Sequence, residues 1–471
     1  MSKNKQIFII LLSLVLLLCA CQETPKEDFV IPKDGTYEAE LDATAQPRQE
    51  QDASSQPQQE LELPETWSED ISMDGWTFRI DAEIKAADMD AFPVYETALT
   101  SFENIEDELK PVMYYFARDA VSKGEFVRTK SYYYDQIKAY IEMGWYDFEN
   151  EQWMPHSDEE IAEHTAFMQT YIDNAPADEP PFTDVTPTVD NMEFNMVYEL
   201  SDGTRVRTWT SGSTHFAVFV GDETFDAILQ PESWVLEGDA FPGEPVGTQI
   251  EVENLTLEQA TATANAFIEE VGIEGFGLAS AEKGRMISDY SVQTIEAGYI
   301  FTLTRNIGGY LCLTGTTGHT ALFSTEDETY SRYLIEETIE IFVTEDGVKQ
   351  FVRSWPYETP VLVNENVKLL SFDEVQSVIR THLKNFLFLY EHSEIFTQEV
   401  RMQASELTLV LGMVQKKNDP DRFYLSPVWV LKVNDVLPDG SVDSYSSYMH
   451  INAVDGTLLS YGNYDYLEGG S

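Results

Sequence analysis

Residues 76–84 alternate one for one: Trp76, Phe78, Ile80, Ala82 and Ile84 fall on one side, and Thr77, Arg79, Asp81 and Glu83 on the other. A period of two predicts a strand with one buried face, and Asp74-Gly75 supplies the turn before it. Between residues 98 and 153 the spacing changes to three and four. Residues 111–120 and 132–143, the latter carrying Tyr133, Ile137, Tyr140 and Ile141, predict amphipathic helices, and Gly144 predicts the stop of the second. Pro176, Pro180, Pro181 and Pro187 mark residues 175–187 as a linker or long loop. Alternation returns at 192–200 and 205–209 around Asp202-Gly203, and again at 338–343 and 348–355 around Asp346-Gly347. Two alternating runs around Asp-Gly predict a hairpin, because that pair readily takes the left-handed backbone of a tight turn. Residues 216–220 and 227–229 extend the first β-rich stretch.

Two helix starts are alike. Thr256 with Gln259, and Ser371 with Glu374, have the spacing of a capping box, in which the hydroxyl takes the third helical amide and the longer side chain reaches back. The first helix is expected to bury Leu257, Ala260, Ala264, Phe267, Ile268 and Val271; the second Val375, Val378, Ile379, Leu383 and Phe386. Strand-like runs follow each, at 299–304 and 310–313, and at 406–414, 424–433 and 449–452. Two helix-then-sheet units are therefore expected, with residue identity between them too low to establish a repeat. The fold class is α+β, with antiparallel sheets each backed by helices. Two or three domains are expected: an N-terminal α+β region at 63–188, a β-rich central domain at 189–365 and a C-terminal domain at 366–465.

The start of the chain changes the picture. Lys3 and Lys5 precede an apolar run over 7–18 broken only by Ser13, and the run ends in Leu18-Cys19-Ala20-Cys21. That is the order of a secretory signal peptide, with an apolar part too short for a comfortable bilayer span. Its end resembles the bacterial lipobox. The resemblance makes Leu18 the leucine three places before the acylated residue, Ala20 the small residue before cleavage and Cys21 the lipid attachment site; Cys19 departs from the usual alanine, serine or glycine. Residues 1–21 are then the lipoprotein signal, and 22–62, rich in Glu, Gln, Asp, Pro and Ser, a disordered acidic tether. The implied location is the extracytoplasmic face of the cell membrane of a Gram-positive-type bacterium.

Charge narrows the partners. The chain has 83 acidic and 29 basic residues; loss of Lys3 and Lys5 leaves 27 basic and a formal charge near −56. Nucleic acid is excluded, since a phosphate backbone needs Lys and Arg to displace its counterions. An anionic bilayer repels such a body, so membrane attachment rests on the N-terminal lipid. With 43% hydrophobic residues and 26 Phe, 24 Tyr and 8 Trp the chain is too apolar for disorder throughout. Once Cys19 leaves and Cys21 is acylated, Cys312 is the one free thiol. No intramolecular disulfide remains to be made, and the apolar run around Cys312 predicts a buried, inert side chain.

Candidate chemistry is sparse. The seven histidines, at 156, 164, 215, 319, 382, 392 and 450, contain no compact ligand set, and no nucleophile elbow, phosphate loop or calcium loop occurs. No metal and no cofactor is expected. His215 and His319 each follow small polar residues, Thr210-Ser-Gly-Ser-Thr and Thr314-Gly-Thr-Thr-Gly, as in loops, without a recognisable base, acid and oxyanion arrangement. Acidic pairs carry no information among 83 carboxylates. Tyr132, Tyr133, Tyr134, Tyr140, Trp145, Tyr146, Phe148 and Trp153 form a dense aromatic cluster. Core packing explains aromatics at helical spacing more simply than a sugar-stacking platform does.

At the C-terminal end, Leu425, Pro427, Val428 and Trp429, followed by Ile451, Asn452, Ala453, Asp455 and Gly456, resemble the closing strands of PepSY-like modules. On local grounds alone, Asp455-Gly456 is a turn and Trp429 belongs to a sheet core. The whole chain resembles uncharacterised secreted lipoproteins of Firmicutes, related in the C-terminal third to membrane-tethered accessory regulators of two-component kinases. The resemblance implies an extracytoplasmic inhibitory or interaction module rather than an enzyme. The chain departs from those regulators in using a lipid instead of a transmembrane helix. The expectation is a membrane-anchored, non-enzymatic binding or regulatory lipoprotein. Its partner is an envelope protein or cell-wall component, and Tyr132, Trp145, Trp153, His215 and His319 are candidate surface residues. The alternatives are a hydrolase with a dispersed active site and a carbohydrate-binding surface protein.

Overall fold

The computed structural model describes residues 63–73, 76–86, 91–147, 152–211, 214–221, 227–231, 249–288, 294–312, 337–391, 401–416, 419, 422–436 and 442–461. Cys21, the tether and His319 lie outside them. The first described strands, β1 (Thr66–Met73) and β2 (Trp76–Ala86), pair antiparallel, with Met73 opposite Trp76. Along β2 the alternation is realised: Phe78, Ile80 and Ala82 are buried, whereas Arg79, Asp81 and Glu83 are exposed. A short strand β3 (Val94–Ala98) follows.

The rest is built from three units of one pattern, each a helix followed by a four-stranded antiparallel meander. The first has helix α1 (Glu106–Ala117) and strand β4 (Ala120–Glu125). After β4 the chain leaves the sheet for an insertion: α2 (Lys130–Met143), β5 (Trp145–Asp147), β6 (Gln152–Met154), α3 (Asp158–Ile172) and β7 (Thr183–Asp184). It then returns as β8 (Met196–Leu200), β9 (Arg205–Ser211) and β10 (His215–Val220). An edge strand β11 (Ala227–Pro231) precedes the second unit, which runs α4 (Leu257–Val271), β12 (Phe276–Ser288), β13 (Thr294–Ile307), β14 (Tyr310–Leu311), β15 (Thr338–Thr344) and β16 (Gly347–Ser354). Strand β14 only folds back on the end of β13. After β17 (Val361–Asn364) comes the third unit, α5 (Phe372–Glu391) with β18 (Arg401–Gln415), β19 (Arg422–Val436), β20 (Val442–Asn452) and β21 (Leu458–Tyr461).

The first two units share a sheet. Its order is β11-β12-β13-β15-β16-β10-β9-β8-β4-β7, so their last strands, β16 and β10, pair with each other, antiparallel, with Phe351 opposite Val218. Helices α1 and α4 cover one face. Phe102, Leu109, Val112, Met113 and Phe116 from the first side, and Ala260, Ala264, Phe267 and Val271 from the second, close over Val206, Phe216, Val218, Ile339, Ile341 and Phe351. The helices meet at Phe116 and Phe267, ring centroids 5.7 Å apart. The second sheet, β1-β2-β18-β19-β20-β21, is the third unit widened by the N-terminal hairpin, with β2 parallel to β18 and β3 pairing the start of β19. Helix α5 covers it with Val375, Ile379 and Leu383. Both sheets are dominated by antiparallel pairing and each is backed by helices, so the fold is α+β, as the sequence predicts.

Several local expectations shift. Residues 63–188, grouped on sequence grounds, divide between the sheets: the strands at 66–98 join the third unit, and the helices and strands from 106 onward belong to the first. The helix expected at 111–120 runs from Glu106 to Ala117 with Pro111 inside it. Proline removes one backbone hydrogen bond there, but the buried stripe of Leu109, Val112, Met113 and Phe116 holds the helix to the sheet. Leu257 is exposed, because it lies one turn ahead of Ala260, the first residue of α4 that the sheet covers. Phe386 falls among side chains outside the described set. Both predicted capping boxes are formed: the Thr256 hydroxyl accepts from the Gln259 amide at 3.2 Å and the Ser371 hydroxyl from the Glu374 amide at 3.4 Å. A third box, Ser157 with Glu160, opens α3.

The two sheets meet through a small cluster of Tyr357, Leu411, Met413, Phe423, Leu425 and Cys312. The Cys312 thiol is buried in that seam.

Candidate ligand-binding site

Of the three units, the first has the helical insertion between its first and second strands, and insertions on a repeated frame are where function is usually carried. Thr129 starts α2 by accepting from the Tyr132 amide at 3.4 Å. Gly144 ends it with φ +68, and a Cβ there would fall 2.2 Å from the Met154 carbonyl oxygen, so only glycine lets the chain turn into the β5–β6 hairpin. Helix α3 then runs back along α2. Between them the Tyr140 ring is stacked on both imidazoles, 3.8 Å from His156 and 3.9 Å from His164, at interplanar angles of 8° and 11°. Burial, and then the charge of His156, hold His164 below the ordinary histidine range. Tyr133 stacks on Tyr171 at 5.5 Å. Tyr134, Phe167 and Tyr171 are exposed, at 54%, 56% and 45%. Phe167 and Tyr171 meet edge to face, ring centroids 5.3 Å apart.

The root of the insertion is tied to the sheet. The Lys130 amide donates to the Pro176 carbonyl at 2.9 Å, and β7 pairs with β4, Ser122 opposite Asp184. Gly124 has no side chain because the Phe182 ring occupies that space: a Cβ would lie 2.4 Å from its Cδ1. Between the insertion and the sheet is a pocket of about 280 Å³. Phe126, Tyr132, Phe182 and Val197 supply its apolar lining, and Glu125, Arg128, Glu179 and Arg205 its charges. Arg205, from β9, forks onto Glu179 with two bonds of 3.3 Å and lies 5.4 Å from the Phe182 ring centre. Arg207, buried, stands 3.3 Å over the Phe126 ring and fixes it. Arg128 lies 5.2 Å over Tyr132 and, exposed, makes no ion pair among the described residues.

The sequence candidates separate. Tyr132 lines this pocket. Trp145 and Trp153 lie at the far end of the helices on the β5–β6 hairpin, Trp145 opposite Met154 and Trp153 opposite Tyr146, with side chains outside the described set. His215 is elsewhere, at the start of β10. Its Nδ1 is 2.9 Å from the Ser354 hydroxyl, and burial lowers its pKa. Residue 355 beside it, Trp355, has φ +54, a strained backbone for a bulky side chain. The pair has the residue types of a nucleophile and base. No carboxylate orients the imidazole among the described residues, and His215 and Ser354 are direct cross-strand partners, which suffices to bring them together. No group of three or more histidine, cysteine or acidic side chains among the described residues could hold a metal ion.

Trp429, Pro427, Asp455 and Gly456 belong to the third unit. Trp429 is 1% exposed and meets the Phe372 ring at 6.2 Å. The Pro427 carbonyl accepts from the Ala453 amide at 3.0 Å. Asp455 accepts from the Thr457 amide at 2.8 Å, and Gly456, at φ +78, donates to the Asn452 carbonyl at 2.9 Å.

Sequence reasoning missed Glu125, Arg128, Phe182 and Arg205. They are separated by up to eighty positions and are brought together by β7 and β9 pairing onto the same half of the sheet; no local pattern marks them.

No protein-family model matches the chain, and no curated protein matches it. Among solved structures, an uncharacterised protein from Eubacterium rectale ATCC 33656 is similar over 90% of this chain and 98% of its own, with 11% sequence identity and a TM-score of 0.44.

Proposed function

We propose that the chain is a lipid-anchored, extracytoplasmic, non-enzymatic binding protein of the cell envelope. Cys21 is the attachment point, residues 22–62 are the tether, and the insertion of the first unit engages an envelope protein or cell-wall component. The observation that carries the reading is the insertion itself, with a charged and aromatic pocket at its root and exposed Tyr134, Phe167 and Tyr171 along its helices. The PepSY-like resemblance of the third unit supports an interaction role. Strong acidity supports anchoring by lipid rather than by a basic surface.

The hydrolase reading has one concrete pair, Ser354 and His215. It lacks an orienting acid among the described residues, so an imidazolium formed there would be unsupported. The test separates the readings. Purified full-length protein is sedimented with an envelope fraction from producing cells, beside Cys21→Ala labelled with a fatty-acid probe. The reading predicts label on the wild type alone and co-sedimentation of both proteins. Label on Cys21→Ala, or turnover of wall material that is lost in Ser354→Ala, overturns it.

A further inference from the structure

Glu125 and Arg128 line the same pocket, both exposed, and among the described residues neither is paired with the other or with any other charged side chain. The remaining two charges of the lining, Arg205 and Glu179, neutralise one another through two 3.3 Å bonds. In a chain of 83 acidic and 29 basic residues, an exposed guanidinium without a carboxylate is out of keeping with its surroundings. A solvated guanidinium and a solvated carboxylate at one opening are complementary to a molecule carrying both opposite charges. Such a ligand exchanges water at each for a charge-assisted hydrogen bond.

The body of the ligand follows from the walls. Tyr132, Phe182 and Val197 offer apolar and ring surface. The volume of about 280 Å³ is near the lower end of small-molecule sites, which run from roughly 300 to 1,000 Å³. A glycan chain or folded peptide is too large; one small molecule fits.

We propose that this pocket binds a free α-amino acid with an aromatic or large aliphatic side chain. Its ammonium faces Glu125, its carboxylate faces Arg128, and its side chain lies against Tyr132, Phe182 and Val197. The proposal rests on the binding-protein reading and names the chemistry of its pocket. Amino-acid occupancy at the root of the insertion also couples the pocket to the α2–α3 face, because the lining includes Thr129, which caps α2, and Tyr132 in its first turn.

The test is calorimetric titration of the full-length protein with L-phenylalanine, N-acetyl-L-phenylalanine, which lacks the ammonium, L-phenylalanine amide, which lacks the carboxylate, and glucuronic acid. L-phenylalanine is expected to bind with a Kd below about 1 mM, and loss of either ligand charge to weaken it about tenfold or more. In Glu125→Gln the difference between L-phenylalanine and its N-acetyl form disappears; in Arg128→Gln the difference between L-phenylalanine and its amide disappears. Both positions are exposed, so neither substitution threatens folding. Binding of glucuronic acid in preference to L-phenylalanine, no binding of L-phenylalanine, or charge dependence unchanged in both variants overturns the proposal. Envelope co-sedimentation that persists alongside such a result leaves the wider reading standing, whereas its absence removes that reading independently.

Discussion

The Tyr357 hydroxyl donates to the Met413 sulfur at 2.8 Å and so links the two sheets. The same oxygen accepts from the Glu337 amide at 2.7 Å. The Glu337 carboxylate, fully buried, holds Arg305 Nε at 2.5 Å and Arg353 Nε at 2.8 Å, one on each oxygen. Both guanidinia face the Phe276 ring, at 4.6 and 5.4 Å. The seam between the sheets is thus an apolar cluster bordered by a buried ionic node.

Removing Glu337 takes the buried carboxylate from both Arg305 and Arg353 and leaves Arg353 only the exposed Glu108, 3.2 Å away. Glu337→Gln is expected to cost about 3 to 5 kcal/mol, and Tyr357→Phe about 1 kcal/mol. Urea unfolding with a common slope checks both. A Glu337→Gln loss no larger than that of Tyr357→Phe contradicts the assignment.

Acid should destabilise the third unit. Burial holds both His382 and His450 down at about 4, against an ordinary value near 6.5. Their neutral forms are the ones the fold accepts, so the unfolded chain binds more protons between those values. Stability is therefore full above about pH 6.5, falls as pH drops toward 4, and levels off below. For His450, 4% exposed, the shift corresponds to on the order of 3 kcal/mol. Acid also relieves repulsion among 83 carboxylates, so the reading is a difference between proteins. His450→Gln should lose less stability than wild type between pH 7 and 4.5 in thermal melts; parallel losses contradict the claim.

The helix starts offer a graded test. Thr256→Ala and Ser371→Ala each remove an observed N-cap and should cost about 1 kcal/mol. Trp429→Ala in the core under α5 should cost roughly 3 to 5 kcal/mol. Chemical denaturation of the three variants orders them; a Trp429→Ala effect as small as a lost cap contradicts its burial.

These contrasts explain how much of the molecule was legible in the sequence. The hairpins at Asp202-Gly203 and Asp346-Gly347 and the boxes at Thr256 and Ser371 are legible because each is decided within about ten residues by turn and cap chemistry. Helix α3 is not, although Ser157 and Glu160 have the same spacing, because its one buried residue is Ile172 and no apolar stripe announces it. The parallel pairing of β2 with β18 and the joining of β10 to β16 unite segments hundreds or scores of residues apart. That joint hid the first of the three units and, with it, the insertion. Of the candidate site only Tyr132 stood out, through aromatic density; the pocket's charges are ordinary surface residues until the sheet edge assembles them.

The central claim is that the α2–α3 insertion is the face that meets a partner. A photo-crosslinking amino acid placed at Tyr134 or Phe167, and as controls at Val361 or Val442 on the other sheet, all exposed, reads it in intact cells. The account predicts a discrete adduct from positions 134 and 167 and none from 361 and 442. Adducts confined to the control positions, or none from any of the four, contradict it.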